Sequence, residues 1–181
     1  MERDAAISLA REKAEKDTTF RHLVSVEGVM RALGRRFGED EDLWALTGLF
    51  HDLDQDQTGD DPGRHARLAE EWLREAGVDE RVVNGVLAHA HQEYRTDLMS
   101  KAIVHADAVA GLLVAAALVR PEKATGMKVS SVKKKLKEKA FAPGVDRDEI
   151  RSVEGSIGLS VDDLIESGIE GLQKVAPEIG L

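Results

Sequence analysis

The chain contains no cysteine. Disulfides, thiolate catalysis and cysteine-held zinc are thereby excluded, leaving histidine and carboxylate as the only serious metal ligands. An apolar leader is also missing: the N-terminus, MERDAAISLAREKAEKD, is charged throughout and lacks a signal-peptide core. Short β-like runs are absent, and the valines recur at helical rather than alternating spacing. There is no internal repeat and no low-complexity tract. The most apolar run, the 18 residues from Ala102 to Val119, has the length of a membrane span, but His105 and Asp107 interrupt it. A buried helix of a soluble protein is the better reading, and a cytoplasmic location without a membrane partner is the expectation.

What is present describes an ordinary globule. A length of 181 residues suits one domain with a substantial core, and 42% hydrophobic with 33% charged residues is not a disordered composition. The net charge of −9 argues against general nucleic-acid binding. Its distribution is uneven: Arg120 to Lys139 carries eight basic side chains against two acidic ones. Such a patch on an acidic protein suits a small anionic ligand better than a polyanion, with a solvated helix face as the ordinary explanation.

Acidic or hydroxyl starts and glycine stops divide the chain into helices near 3–15, 18–37, 41–53, 63–76, 79–91, 97–119, 130–140, 146–154 and 160–175. Asp17, Asp40, Asp79, Asp97, Ser130, Asp146 and Ser160 stand where N-caps belong. The stretch QDQTGDDPG, residues 55–63, is the clearest irregular loop. The predicted fold is all-α.

On those helices, several polar side chains take inward phases. His22 shares a stripe with Val26, Val29 and Leu33; His65 with Leu68, Ala69 and Trp72; His89 with Val82 and Val86. Asp107 lies with Ile103, Ala110, Gly111 and Val114. His51 and Asp52 close a helix whose inner face carries Leu43, Leu46 and Phe50. One inward histidine is usually a hydrogen-bonded core residue. Four imidazoles and two carboxylates turned inward on successive helices are most simply balanced by divalent cations, because an uncompensated buried charge costs many kcal/mol. Helical phase alone does not show that these groups meet.

The order His22, His51-Asp52, His65, His89, Asp107 resembles the HD-domain metal-dependent phosphohydrolase superfamily, over roughly residues 18–120. The stretch SKAIVHADAVAG resembles the family's closing helix, with Lys101 about two turns before Asp107. The resemblance implies a compact HD-type helical bundle, with 18–120 as metal-binding core and 121–181 as a helical extension of a single domain. It implies two ions, with His22, His51 and Asp107 on the first, Asp52 bridging, and His65 and His89 on the second. Iron or manganese suits such ligands, and Mg, Co, Ni and Zn are compatible. His91 competes with His89 for the ligand role; the stripe favours His89, which leaves His91 as a supporting or phosphate contact. His105 reads as a packing or surface histidine.

Many members of that family read His-Asp-Ile-Gly-Lys, with the lysine near the substrate phosphate. Here the pair is followed by Leu53, Asp54, Gln55 and Asp56. That phosphate contact is lost, and Asp54 and Asp56 are expected either at the cleft entrance or in a solvated acidic loop. The implied activity is hydrolysis of a small phosphate ester, a nucleotide above all, by a metal-activated water, with Asp52, Lys101 and His91 in catalytic roles. An HD-fold di-iron oxygenase, which anaerobic assay separates, and a non-catalytic nucleotide-binding module are the alternatives. The Lys133–Lys139 run folds over the site or faces solvent. The stripe of Leu164, Ile165, Ile169 and Leu172 packs back on the chain or forms a homodimer contact.

Overall fold

A computed structural model describes residues 1–59 and 61–181. Among the described residues the regular structure is helical throughout, as expected, with no strand. The α-helices are α1 (Arg3–Lys13), α2 (Asp17–Phe37), α3 (Glu41–Phe50), α4 (Gln55–Thr58), α5 (Arg67–Glu75), α6 (Glu80–Ala90), α7 (Leu98–Leu118), α8 (Val129–Lys137), α9 (Arg147–Ile157) and α10 (Val161–Ile179). A 3₁₀ turn at Gln92–Tyr94 links α6 to α7.

Five of the expected N-caps hold. Asp40, Asp79, Asp97, Asp146 and Ser160 each accept backbone N–H groups of the following first turn. Asp97 and Ser100 complete a reciprocal capping box at the start of α7. Two fail: Asp17 is already the first helical residue of α2, and Ser130 lies inside α8. The start of α2 is served instead by Asp56, whose carboxylate accepts from the N–H groups of Glu15 and Lys16, both at 2.9 Å, and from Thr19 Oγ1 at 2.8 Å.

The long helix α2 is the hub, with α3, α10 and α7 packed against it. Two glycines let these backbones approach. A Cβ on Gly28 would lie 2.5 Å from the carbonyl oxygen of Gly171 on α10, and one on Gly48 of α3 would lie 2.6 Å from that of Val26 on α2. Leu164, Ile165, Ile169 and Leu172 are all buried in the common core, so this stripe packs within the chain. Helix α7 is long and apolar enough to cross a membrane by length and composition, and 67% of its most apolar window is buried in the bundle.

Four boundaries differ from expectation in ways that matter below. Helix α3 stops at Phe50, so His51 and Asp52 occupy the turn after it. The loop after them contains the short helix α4. Helix α5 starts at Arg67, not near 63, which places His65 in the turn before it, off the expected stripe. Helix α8 ends at Lys137, and the chain to α9 is gathered around buried Arg147. The Arg147 guanidinium donates to the carbonyls of Leu136, Glu138, Phe141, Ala142 and Val145.

Candidate metal centre

Five structural units bring the six expected residues together. His22 comes from the second turn of α2, His51 and Asp52 from the turn after α3, His65 from the turn before α5, His89 from the last turn of α6 and Asp107 from mid-α7. His22 Nε2 is 3.0 Å from Asp107 Oδ1 and 3.2 Å from His51 Nε2. Asp52 Oδ2 is 3.5 Å from His51 Nε2 and 3.8 Å from His22 Nε2. Its other oxygen, Oδ1, is 3.1 Å from His65 Nε2 and 3.0 Å from His89 Nε2. The ligand atoms of His22, His51 and Asp107 lie within 4.8 Å of one another, and so do those of His51, Asp52 and His89.

The tautomer of His51 follows from its surroundings. Its Nδ1 is 2.8 Å from the Gly48 carbonyl, which can only accept, so Nδ1 carries the proton. Its Nε2 lone pair therefore faces His22 and Asp52. Burial is the main influence on this fully buried ring and pushes it down to about 4, overriding the neighbouring carboxylates. His51 is thus neutral and ready to ligate. The opposite balance holds for Asp107: burial would raise it, but the hydrogen bond with His22 prevails and holds it at about 2. Asp52 lies well below the usual carboxylate range, since the imidazoles around it outweigh its burial.

Whether cations fit can be judged from atoms left without partners. Asp52 Oδ1 and His89 Nδ1 are both buried and make no aligned hydrogen bond, although Oδ1 has two imidazole nitrogens close by. Buried polar atoms are rarely left this way. Lone pairs from several helices converging on one carboxylate are what divalent ions require, and the nitrogen–oxygen donor set without sulfur suits iron, manganese and related metals. The residues fit.

Behind the cluster stands a residue that was expected at the cleft entrance or in solvent. Asp54 is fully buried, and its Oδ1 accepts from His65 Nδ1 at 3.0 Å and from the Ala66 N–H at 3.2 Å. Its Oδ2 accepts from the Ala69 N–H at 3.1 Å. Burial would lower the His65 pKa, but the close Asp52 carboxylate and the hydrogen bond to Asp54 prevail and raise it to about 9. Asp56 likewise lies neither at an entrance nor free in solvent but caps α2. The only sequence hint to either was a pair of carboxylates amid turn-forming residues.

The remaining candidates separate. His89, rather than His91, adjoins Asp52; His91 Nε2 instead donates to the His65 carbonyl at 3.0 Å. Lys101 is half-buried and makes no hydrogen bond or ion pair among the described residues. It lies about a third of a turn around α7 from Asp107. His105 is buried, with Nδ1 donating to the Glu149 carbonyl at 2.7 Å. In the lysine run, Lys133 pairs with Asp162, and Lys135 pairs with Glu138 and lies over Phe141.

With this geometry in hand, comparison with known proteins is direct. The HD domain family matches residues 19–119, more than half of the chain, and that span contains all six converging side chains. The chain belongs to the HD-domain family. Members of the family bind divalent metals. Two curated relatives match the HD region: Ribonuclease Y 2 of Levilactobacillus brevis, 28% identical over 90 residues, and Ribonuclease Y of Sulfurovum sp., 30% identical over 86. These matches take in 50% and 48% of this chain but 17% of each relative. The HD-domain chain thus corresponds to about a sixth of their length. No solved structure matches it.

Proposed function

We propose that this HD-domain protein is a metal-dependent phosphohydrolase acting on a small phosphate ester, a nucleotide in the first instance, with two divalent ions held by His22, His51, Asp52, His65, His89 and Asp107. The observation that carries the reading is the buried, unpartnered Oδ1 of Asp52 between His65 and His89, while Oδ2 faces His51 and His22. A carboxylate so placed is suited to bridging. Its two relatives are named as ribonucleases, whose chemistry is also phosphoester cleavage.

Ions bound here would supply Lewis acidity toward phosphoryl oxygens and acidify a coordinated water. The protein's own part is charge, orientation and access. Asp52 and Asp107 provide two negative charges, and the neutral His51 contributes a lone pair without adding positive charge. His51 is completely enclosed, whereas His22 and Asp107 keep 28% and 30% of their side chains exposed, so the substrate enters on the α2–α7 side. Lys101 is the candidate cationic phosphate contact, since its ammonium is not committed to any described carboxylate. His91 supports the site through the His65 backbone instead of through phosphate.

The test combines metal analysis of the purified protein with a phosphate-release screen over nucleotides under Mn²⁺ and Fe²⁺. Release that requires metal and is absent from Asp52→Ala is the expected result. Oxygen consumption with no ester cleavage would favour an oxygenase, and nucleotide binding without turnover under any metal would favour a regulatory module.

A further inference from the structure

The second candidate ion site differs in construction from the first. Its ligand His65 is not carried by a helix but by the turn entering α5, and the next residue, Ala66, has a left-handed backbone with φ of 65°. That conformation costs a non-glycine residue roughly 1–2 kcal/mol. It persists because the turn is fastened from several directions. Asp54 takes the His65 Nδ1 proton and the Ala66 N–H on one oxygen and the Ala69 N–H on the other, and His91 holds the His65 carbonyl. Asp54 is fully buried, and its bonds to the Ala66 and Ala69 N–H groups are shielded from water.

The consequence for His65 is specific. A carboxylate at Nδ1 fixes the ring's rotation and commits that nitrogen's proton, which leaves Nε2 as the nitrogen turned to Asp52 at 3.1 Å. His22, His51 and Asp107 have no such dependence: His51 is oriented by the Gly48 carbonyl, and His22 and Asp107 orient one another from helices.

We propose that Asp54 is the positioning residue of the second ion site: it touches no ion, yet by holding His65 it sets the affinity of that site alone. The proposal rests on the two-ion reading given above. It also accounts for the position after His51-Asp52-Leu53, where a buried carboxylate supports the site from behind.

Chelator-stripped protein is titrated with Mn²⁺, bound ions are counted calorimetrically and by elemental analysis, and the thermal midpoint of the metal-free protein is recorded. The parent binds two ions. Asp54→Ala retains the first at parental affinity and binds the second about 10- to 100-fold more weakly. Asp54→Asn, which keeps one acceptor oxygen for Nδ1, recovers part of that loss. Equal affinities for both ions in parent and folded Asp54→Ala overturn the proposal, as does an equal weakening of both sites, which would make Asp54 merely a fold determinant. A parent that binds a single ion overturns the two-ion reading itself. Should Asp54→Ala fail to fold, the comparison is made on Asp54→Asn in an Ala66→Gly background, where glycine accepts the left-handed turn without strain.

Discussion

Asp52 Oδ1 stands 3.0 Å from His89 Nε2 and 3.1 Å from His65 Nε2, with no hydrogen bond of acceptable alignment to either. The same side chain reaches His51 and His22 with its other oxygen. One carboxylate thus touches both halves of the cluster. Asp52→Ala should therefore abolish binding of both ions, not one, and reduce phosphate release to background. Elemental analysis of the purified variant checks this; a metal-replete, active Asp52→Ala protein contradicts the bridging role.

The two halves should also separate by mutation. His65→Ala removes a group whose ring nitrogens face Asp52 and Asp54 and not His22, His51 or Asp107, so bound metal should fall from two ions to one while the ion near His22 stays. His22→Ala removes the partner of Asp107 and His51 and should take the first ion instead. Mn²⁺ titration of the two variants, read against the parent, distinguishes them. Complete loss of bound metal from both variants would mean that the six groups hold a single shared ion.

Much of this was legible from residue spacing, and the failures have definite causes. The helices were visible because apolar residues recur at helical spacing and five caps sit immediately before them. The inward direction of His22, His51, Asp52, His89 and Asp107 could be anticipated because each rides on or directly ends such a helix, whereas their meeting at one site was implied only by the family resemblance. His65 was assigned an inward direction for the wrong reason. Leu68, Ala69 and Trp72 form the same stripe whether the helix starts at 63 or 67, so the pattern cannot locate its first turn. A left-handed alanine, unlike a glycine, leaves no mark in the sequence. The burial of Asp54 and Asp56, expected at the cleft entrance or in a solvated loop, left no local mark because their partners lie 11 to 41 residues away. Buried Arg147 gave no signal, since its acceptors are all backbone carbonyls.

Close backbone contact predicts two different phenotypes for similar substitutions. Alanine normally stabilises a helix relative to glycine by roughly 0.5–1 kcal/mol. At Gly48 the added Cβ would meet the Val26 and Glu27 backbone at 2.6–2.9 Å, which only a shift of α3 against α2 can relieve. Overpacking of this kind costs about 1–3 kcal/mol and outweighs the propensity gain. Because His51 bonds to the Gly48 carbonyl, Gly48→Ala should lower both the denaturation midpoint and first-ion affinity. Gly28→Ala, clashing with Gly171 on α10, should lower the midpoint with ion binding retained. Urea unfolding and Mn²⁺ titration of both variants make the comparison.

Asp56 yields a prediction in acid. Burial favours its neutral form, but the Lys16 N–H and ammonium and the Thr19 hydroxyl prevail and hold the carboxyl below its ordinary value. For a carboxyl depressed in the folded state, the stabilisation is fully present above the unfolded value, about 3.9, and is lost as pH falls through the folded value. With the carboxylate side chain only 2% exposed and serving the start of α2, Asp56→Ala should cost about 1–3 kcal/mol at pH 7. The gap between parent and variant should then narrow as pH is lowered from 5 toward 3, because the parent loses the charge-assisted part of its cap and the variant has none to lose. Urea midpoints measured on metal-free parent and variant across that range test the sign directly. A gap that stays constant would mean that the neutral carboxyl caps α2 as well as the charged one.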